Sequence, residues 1–425
     1  MTLAAMSLRF RLTLPLLAAA LLAAGCGSSQ SDSSPSSTAS GASDADAPGG
    51  ATEQRRAAPR LAITYEGGVQ IVDATTLQKV ADIPGEGYLR VNPAGDGRHV
   101  FLSEGTGFRL LDLGAWSVPH GDHQHFYTAA PRRTDIRIEA PEPGHVVRHD
   151  GRTVLFSDGT GTVTSIPSDT VGDPTAPRAT YTAPKPHHGV AVERADGSML
   201  ITVGDEKART GIAILGKERQ EIARNEQCPG VHGEGAAEGG AVIFGCEDGV
   251  LVVRGDEIVK TAAPTPGYAR TGNVAATEAH AVVLGDYKVD KAAKPERPTR
   301  VSLIDTRTGA VKLVDLPSSY SFRSLARGQF GEALVLGTDG VLRVLDPETG
   351  AVVREAKATA PWTEDANWQE PRPAVFTLGS TAFVTEPTTK SIVAIDIPSG
   401  KELRRGTLEH TPDEVSGVTG VSATH

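Results

Sequence analysis

Leu303-Ile304-Asp305-Thr306-Arg307-Thr308-Gly309 is the stretch that decides the fold. An apolar pair runs into an Asp, and a Gly follows four residues later. The Asp carboxylate accepts from backbone N–H groups ahead of it and the Gly tolerates φ > 0. The segment therefore predicts a tight turn joining two strands of one hairpin. Val344-Leu345-Asp346-Pro347-Glu348-Thr349-Gly350 and Ala394-Ile395-Asp396-Ile397-Pro398-Ser399-Gly400 repeat it. Ile71-Val72-Asp73-Ala74-Thr75-Thr76 and Leu110-Leu111-Asp112-Leu113-Gly114 are looser copies. The Asp residues stand 39 (73 to 112), 41 (305 to 346) and 50 (346 to 396) apart. That recurrence is the period of four-stranded propeller blades.

Working outward, first strands are expected to begin near Leu89, His145, His188, His232, Thr271, Phe322 and Pro373. Leu61 to Ile83 supplies three strands, and Val415 to Ala423 supplies the fourth. The expectation is an all-β protein, a β-propeller of eight blades at about 46 residues each. Its ring is closed by N- and C-terminal strands, which removes an open sheet edge. Seven blades with one irregular unit is the runner-up. Val335, Leu336, Val341 and Leu345 typify the expected core. Composition agrees: Gly (47) and Pro (28) make up about 18% of the chain, which suits short strands and turns rather than long helices.

The ends of the chain speak to its location. Arg9 and Arg11 precede the apolar run Leu12–Ala24, so residues 1–25 read as a signal peptide. Leu22-Ala23-Ala24-Gly25-Cys26 resembles a bacterial lipobox, with Ala23 where Leu is commoner. A lipidated Cys26 is expected; ordinary secretion with an incidental Cys is the alternative. Residues 26–59 are rich in Ser, Ala, Gly, Asp and Pro, and read as a flexible tether. The propeller domain is assigned to 60–425. No apolar run of 18 residues follows residue 25, which rules out a multi-span membrane protein. A formal charge of −10 makes nucleic acid a poor partner. Outside the cytoplasm, the remaining Cys228 and Cys246 are expected to form a disulfide; two metal thiolates are the alternative.

Histidine carries the chemical signal. Pro119-His120-Gly121-Asp122-His123-Gln124-His125-Phe126-Tyr127 places three imidazoles and a carboxylate within six residues. In a strand, His123 and His125 face the same side. Three first strands also begin at a His: His145, His188 (preceded by His187) and His232. Equivalent positions in adjacent blades lie side by side, so these form an arc at one mouth of the channel. Loop 119–125 is a candidate to fold over that mouth, although a third-to-fourth strand connection starts on the opposite face. Converging imidazoles suit tetrahedral Zn²⁺, while Cu(II) and Ni(II) bind imidazole too. His99, His149, His280, His410 and His425 read as background. Trp362 to Glu370 is a long loop that can dock a partner or ligand. There is no nucleophile elbow, Walker loop, haem motif or evident carboxylate pair.

His-x-x-His-x-His-Phe-Tyr (120–127), Lys-Pro-His-His-Gly (185–189) and Cys-Pro-x-x-His-Gly (228–233), behind a signal peptide and on a propeller repeat, resemble the zinc metallochaperone AztD family. The resemblance implies an extracytoplasmic propeller that binds zinc and hands it to the solute-binding protein of a zinc ABC transporter. It implies His123, His125, His188 and His232 as ligands, with His187 and His145 next. The family pattern also includes a mobile His-rich N-terminal segment, whereas residues 27–60 here contain no His. The lipobox departs from a freely soluble form and implies a lipid anchor on the outer face of the cell membrane. A monomer is expected, holding zinc near an acidic surface and releasing it by ligand exchange. The alternatives are a metal-dependent hydrolase, with Asp122 or Glu234 as general base, and a non-catalytic interaction platform.

Overall fold

The computed structural model describes residues 50–423. The expected signal peptide, Cys26, most of the tether and His425 lie outside them. Among the described residues the chain is all β, with short 3₁₀ turns such as Ser168–Thr170 as its other regular elements. No helix among them is long and apolar enough to cross a membrane.

The strands form eight four-stranded antiparallel sheets and one three-stranded sheet. This is the strand pattern of propeller blades. The Asp–Gly turns account for its regularity. Asp305 and Asp396 each end a third strand, and Asp346 directly follows one. Asp346 Oδ1 accepts from Thr349 N at 2.7 Å, and Asp396 Oδ2 accepts from Ser399 N at 2.9 Å. Gly350 and Gly400 then donate to the Asp carbonyls at 2.8 Å, with φ of 72° and 70°. The seven expected first-strand positions each fall within three residues of an observed strand start, from Arg90–Pro93 to Val375–Leu378. Val415–Val418 pairs with Arg60–Tyr65, in the register Arg60 to Val418 and Ile63 to Val415.

One sheet departs from the rule. Arg90–Pro93, His99–Glu104 and Gly107–Asp112 take Arg132–Glu139 as their fourth strand, because a hairpin of Ala115–His120 and His123–Thr128 is inserted between. Thr52–Gln54 pairs with that hairpin. Strand structure therefore starts inside the stretch expected to be tether, ahead of the boundary drawn at residue 60.

The core lies between neighbouring sheets. One cluster joins Val147, Val190, Val192, Leu200, Ile212, Val242, Phe244 and Leu251, with Cys228 and Cys246 inside it. Each such side chain contributes about 1.5–3 kcal/mol on burial. Val335, Leu336 and Leu345 are buried as expected. Val341, at the start of its strand, is only half-buried. Cys228 and Cys246 are bonded to each other, which removes the thiolate alternative.

Candidate metal centres

His145, His188 and His232 come from three consecutive sheets. His145 lies near the start of Pro143–His149, His188 precedes Ala191–Glu193, and His232 opens His232–Ala237. Two glycines allow the approach. A Cβ on Gly189 would meet the Phe156 ring at 2.3 Å, and one on Gly233, at φ +71°, would meet the Gly272 carbonyl at 2.8 Å. The three rings gather with centroids 5.0–5.2 Å apart.

Two of the rings are held from behind. His188 Nδ1 donates to Asp158 Oδ2, and His232 Nδ1 donates to the Gly272 carbonyl. His145 Nδ1 lies 3.5 Å from Glu234 Oε2, while its buried Nε2 has no protein partner. With the Nδ1 protons of His188 and His232 committed, their Nε2 lone pairs face each other at 3.0 Å. Acceptor against acceptor is repulsive unless a cation lies between them. Two nitrogens on one tetrahedral zinc stand about 3.3 Å apart, close to this spacing. Burial, then the neighbouring imidazoles, holds His145 well below the ordinary imidazole range, and burial with His188 pushes His232 down to about 3. Both rings therefore stay neutral and ready to ligate in mildly acidic solution, so proton competition at this trio is weaker than three ordinary imidazoles imply. Burial pushes the Glu234 carboxyl up to about 7.

The trio opens on a cavity of about 470 Å³ lined by Arg90, Glu234, Arg270, Lys288, Phe322 and Trp368. The rim is cationic and aromatic, which corrects the expected acidic setting. Trp368 brings the 362–370 loop to this mouth and meets Tyr88 edge-on at 5.2 Å. A buried Glu364–Arg372 pair at 2.7 Å anchors the loop.

The second cluster sits on the inserted hairpin. His120 Nδ1 lies 3.1 Å from His125 Nε2, and His123 Nε2 lies 3.2 Å from the same atom. His125 Nδ1 donates to Glu53 Oε1 at 2.6 Å, and His123 Nδ1 donates to Asp122 Oδ1 at 3.2 Å. Three nitrogens again converge at spacings that suit one zinc.

The two trios are separate. In the sheet that carries the hairpin, Arg90 pairs with Ser103 at one end of the strands, while His99, Asp112 and Arg132 align at the other. The hairpin leaves after Asp112 and returns at Arg132, whereas Arg90 lines the cavity of the first trio. Segment 119–125 thus does not fold over the mouth, and His123 and His125 do not join His188 and His232. His187 is not available to either trio. It is buried, its Nδ1 donates to the Lys185 carbonyl at 2.9 Å, and its Nε2 accepts from the Thr202 hydroxyl at 3.0 Å.

Asp158 and Glu53 escaped the sequence reading. Asp158 sits in an ordinary Ser-Asp-Gly turn, 30 residues from its partner. Glu53 lies in the stretch expected to be tether, 72 residues from His125. Two further groupings, Asp82–Glu409–His410 and His149–Asp150–Glu278, have one His each, already paired with a carboxylate.

No protein-family model matches the chain. The zinc chaperone AztD of Citrobacter koseri is 24% identical over 368 residues, spanning 84% of this chain and 85% of that protein. The chain is similar to a zinc chaperone. A crystal structure of Citrobacter koseri AztD superposes with a TM-score of 0.75 at 22% identity, covering 87% of this chain and 100% of that one. The structure of apo AztD from Citrobacter koseri gives 0.74 at 21% identity, covering 87% and 99%. The chain has the AztD fold, and the resemblance drawn from the His motifs holds across most of its length.

Proposed function

We propose that this chain is an extracytoplasmic zinc metallochaperone: an eight-bladed propeller, closed by pairing of its N- and C-terminal strands, that delivers zinc to the solute-binding protein of a zinc ABC transporter. The carrying observation is the pair of imidazole lone pairs, His188 Nε2 and His232 Nε2, facing each other at 3.0 Å. The likeness to a zinc chaperone over most of the chain supports zinc as the cation. His145, His188 and His232 hold one ion and His120, His123 and His125 a second. Three protein ligands leave zinc a fourth position, through which a partner's ligand enters before the chaperone's imidazoles leave. The chain works as a monomer tied to the membrane through lipidated Cys26, with no nucleic-acid partner.

Hydrolysis needs a base on the open side of the metal. Glu234 lies instead at Nδ1, behind the His145 ring. Asp122 is fully exposed beside His123. The reading is therefore non-catalytic.

The test is zinc content after chelation and repletion. We expect two zinc per wild-type chain, one in His188→Ala/His232→Ala, one in His123→Ala/His125→Ala, and none when all four are replaced. Loaded protein should then transfer zinc to a zinc-binding solute-binding protein faster than zinc leaves spontaneously. Wild-type protein that retains no zinc overturns the proposal and leaves an interaction platform.

A further inference from the structure

The three-stranded sheet contains a feature that metal binding by the hairpin alone does not require. Its third member, Thr52–Gln54, comes from the far N-terminal side of the chain and pairs with His123–Thr128 through only three residue pairs. A three-residue edge strand is marginal by itself. Its added contacts are a 2.9 Å bond from Gln54 Nε2 to the Thr128 hydroxyl and the bond from His125 Nδ1 to Glu53. Glu53 stands opposite Tyr127, so its side chain shares a face with His125 two residues along.

We propose that Glu53 is the positioning residue of the hairpin trio, and that zinc held there clamps Thr52–Gln54 onto the hairpin. The inference rests on the reading of His120, His123 and His125 as a zinc site. A carboxylate on Nδ1–H fixes the tautomer that leaves Nε2 as a donor, turns the ring toward its neighbours and raises the basicity of Nε2. Nε2 of His125 is the atom on which both other rings converge. Glu53 acts through His125 rather than on the ion. Coupling is reciprocal: if a docked Glu53 strengthens zinc binding, bound zinc strengthens docking of the segment by the same factor. The Ser/Ala/Gly-rich stretch precedes this segment directly in the sequence. Zinc occupancy therefore sets whether residues 52–54 are fixed on the hairpin.

The experiment uses the full chain carrying His188→Ala/His232→Ala, so that only the hairpin trio reports. Zinc affinity is measured with Glu53 intact and in Glu53→Gln, Glu53→Ala and Glu53→Asp, with Co²⁺ as the spectroscopic probe. Glu53→Gln and Glu53→Ala should weaken zinc about 10–100-fold, with partial rescue by Glu53→Asp. The Co²⁺ band should keep its shape in Glu53→Gln, because the ligands are unchanged. Amide exchange at 52–54 should slow on zinc addition with Glu53 intact and not in Glu53→Ala. Equal affinities across the series overturn the inference while leaving the zinc site standing. A changed Co²⁺ band overturns positioning in favour of direct ligation. No zinc bound even with Glu53 intact overturns both the inference and the hairpin site beneath it.

Discussion

Glu234 gives the fold beside the first trio a pH dependence of its own. Its carboxyl lies beside the His145 ring, mostly withdrawn from water, and desolvation pushes it from 4.5 up to about 7 in the folded chain. Below pH 4.5 both folded and unfolded chains hold that proton, so the group is neutral to stability. Between 4.5 and 7 the unfolded chain loses it first, and folding becomes less favourable as pH rises. Above 7 the loss is complete, at about 3 kcal/mol. His145 and His232 act in the opposite sense, because burial depresses them and acid favours the unfolded chain. Replacing only Glu234 isolates its share. In chelator, Glu234→Gln should melt above the wild type at pH 8, and the gap should shrink towards pH 5. Parallel melting curves at both pH values would show that the carboxyl is not held in its neutral form.

At the scale of elements, what was legible in the sequence was local. Asp305 and Gly309 fix a turn through bonds spanning four residues, so the strand ends could be read directly. His145, His188 and His232 could be aligned because each sits at the same point of its sheet. The inserted hairpin could not be placed. His123–Thr128 is mostly polar and at most half-buried, so no apolar alternation marks it as a strand, and its partner Thr52–Gln54 lies in the stretch expected to be tether. Asp158 and Glu53 are legible only once the sheets are assembled, since neither is near its His in sequence. The disulfide is an element-scale device of the same kind. It ties Cys228, just ahead of His232, to Cys246 at the end of the neighbouring strand, across 18 residues. Closing a loop of that size stabilises the fold by about 3 kcal/mol. Cys228→Ser/Cys246→Ser should lower the urea midpoint accordingly and weaken zinc at the first trio, while the hairpin trio keeps its affinity. Equal weakening of both trios would mean that the bond acts on the whole fold and does not position His232.

At the scale of the molecule, the decisive contact joins chain ends. Val415–Val418 covers the edge of Arg60–Tyr65, and Thr64 exchanges backbone bonds with Asp413 and Glu414 at 2.8 and 2.9 Å. A buried charge cluster locks this seam. Arg323 pairs with Asp413 and donates to Tyr88 Oη at 2.7 Å. Arg90 meets Glu414 at 3.1 Å, and Glu414 also accepts from Val91 N at 3.1 Å. Arg90 and Trp368 also line the cavity of the first trio, so the seam and the mouth share a wall. Removing one partner of a buried pair leaves the other charge uncompensated and costs about 3–5 kcal/mol. Arg323→Ala should therefore lower stability by that amount while the strand pairing survives and unfolding remains a single transition. Ending the chain after residue 412 is a different lesion. It uncovers a six-residue edge strand, Arg60–Tyr65, whose Leu61 and Ile63 are fully buried. An open apolar edge of that length pairs with other copies. The truncated chain should self-associate on size-exclusion chromatography and unfold at lower urea, whereas Arg323→Ala should elute as the wild type does. A truncated chain that elutes like the full-length protein with an unchanged midpoint would show that pairing of Val415–Val418 is not what protects the Arg60–Tyr65 edge.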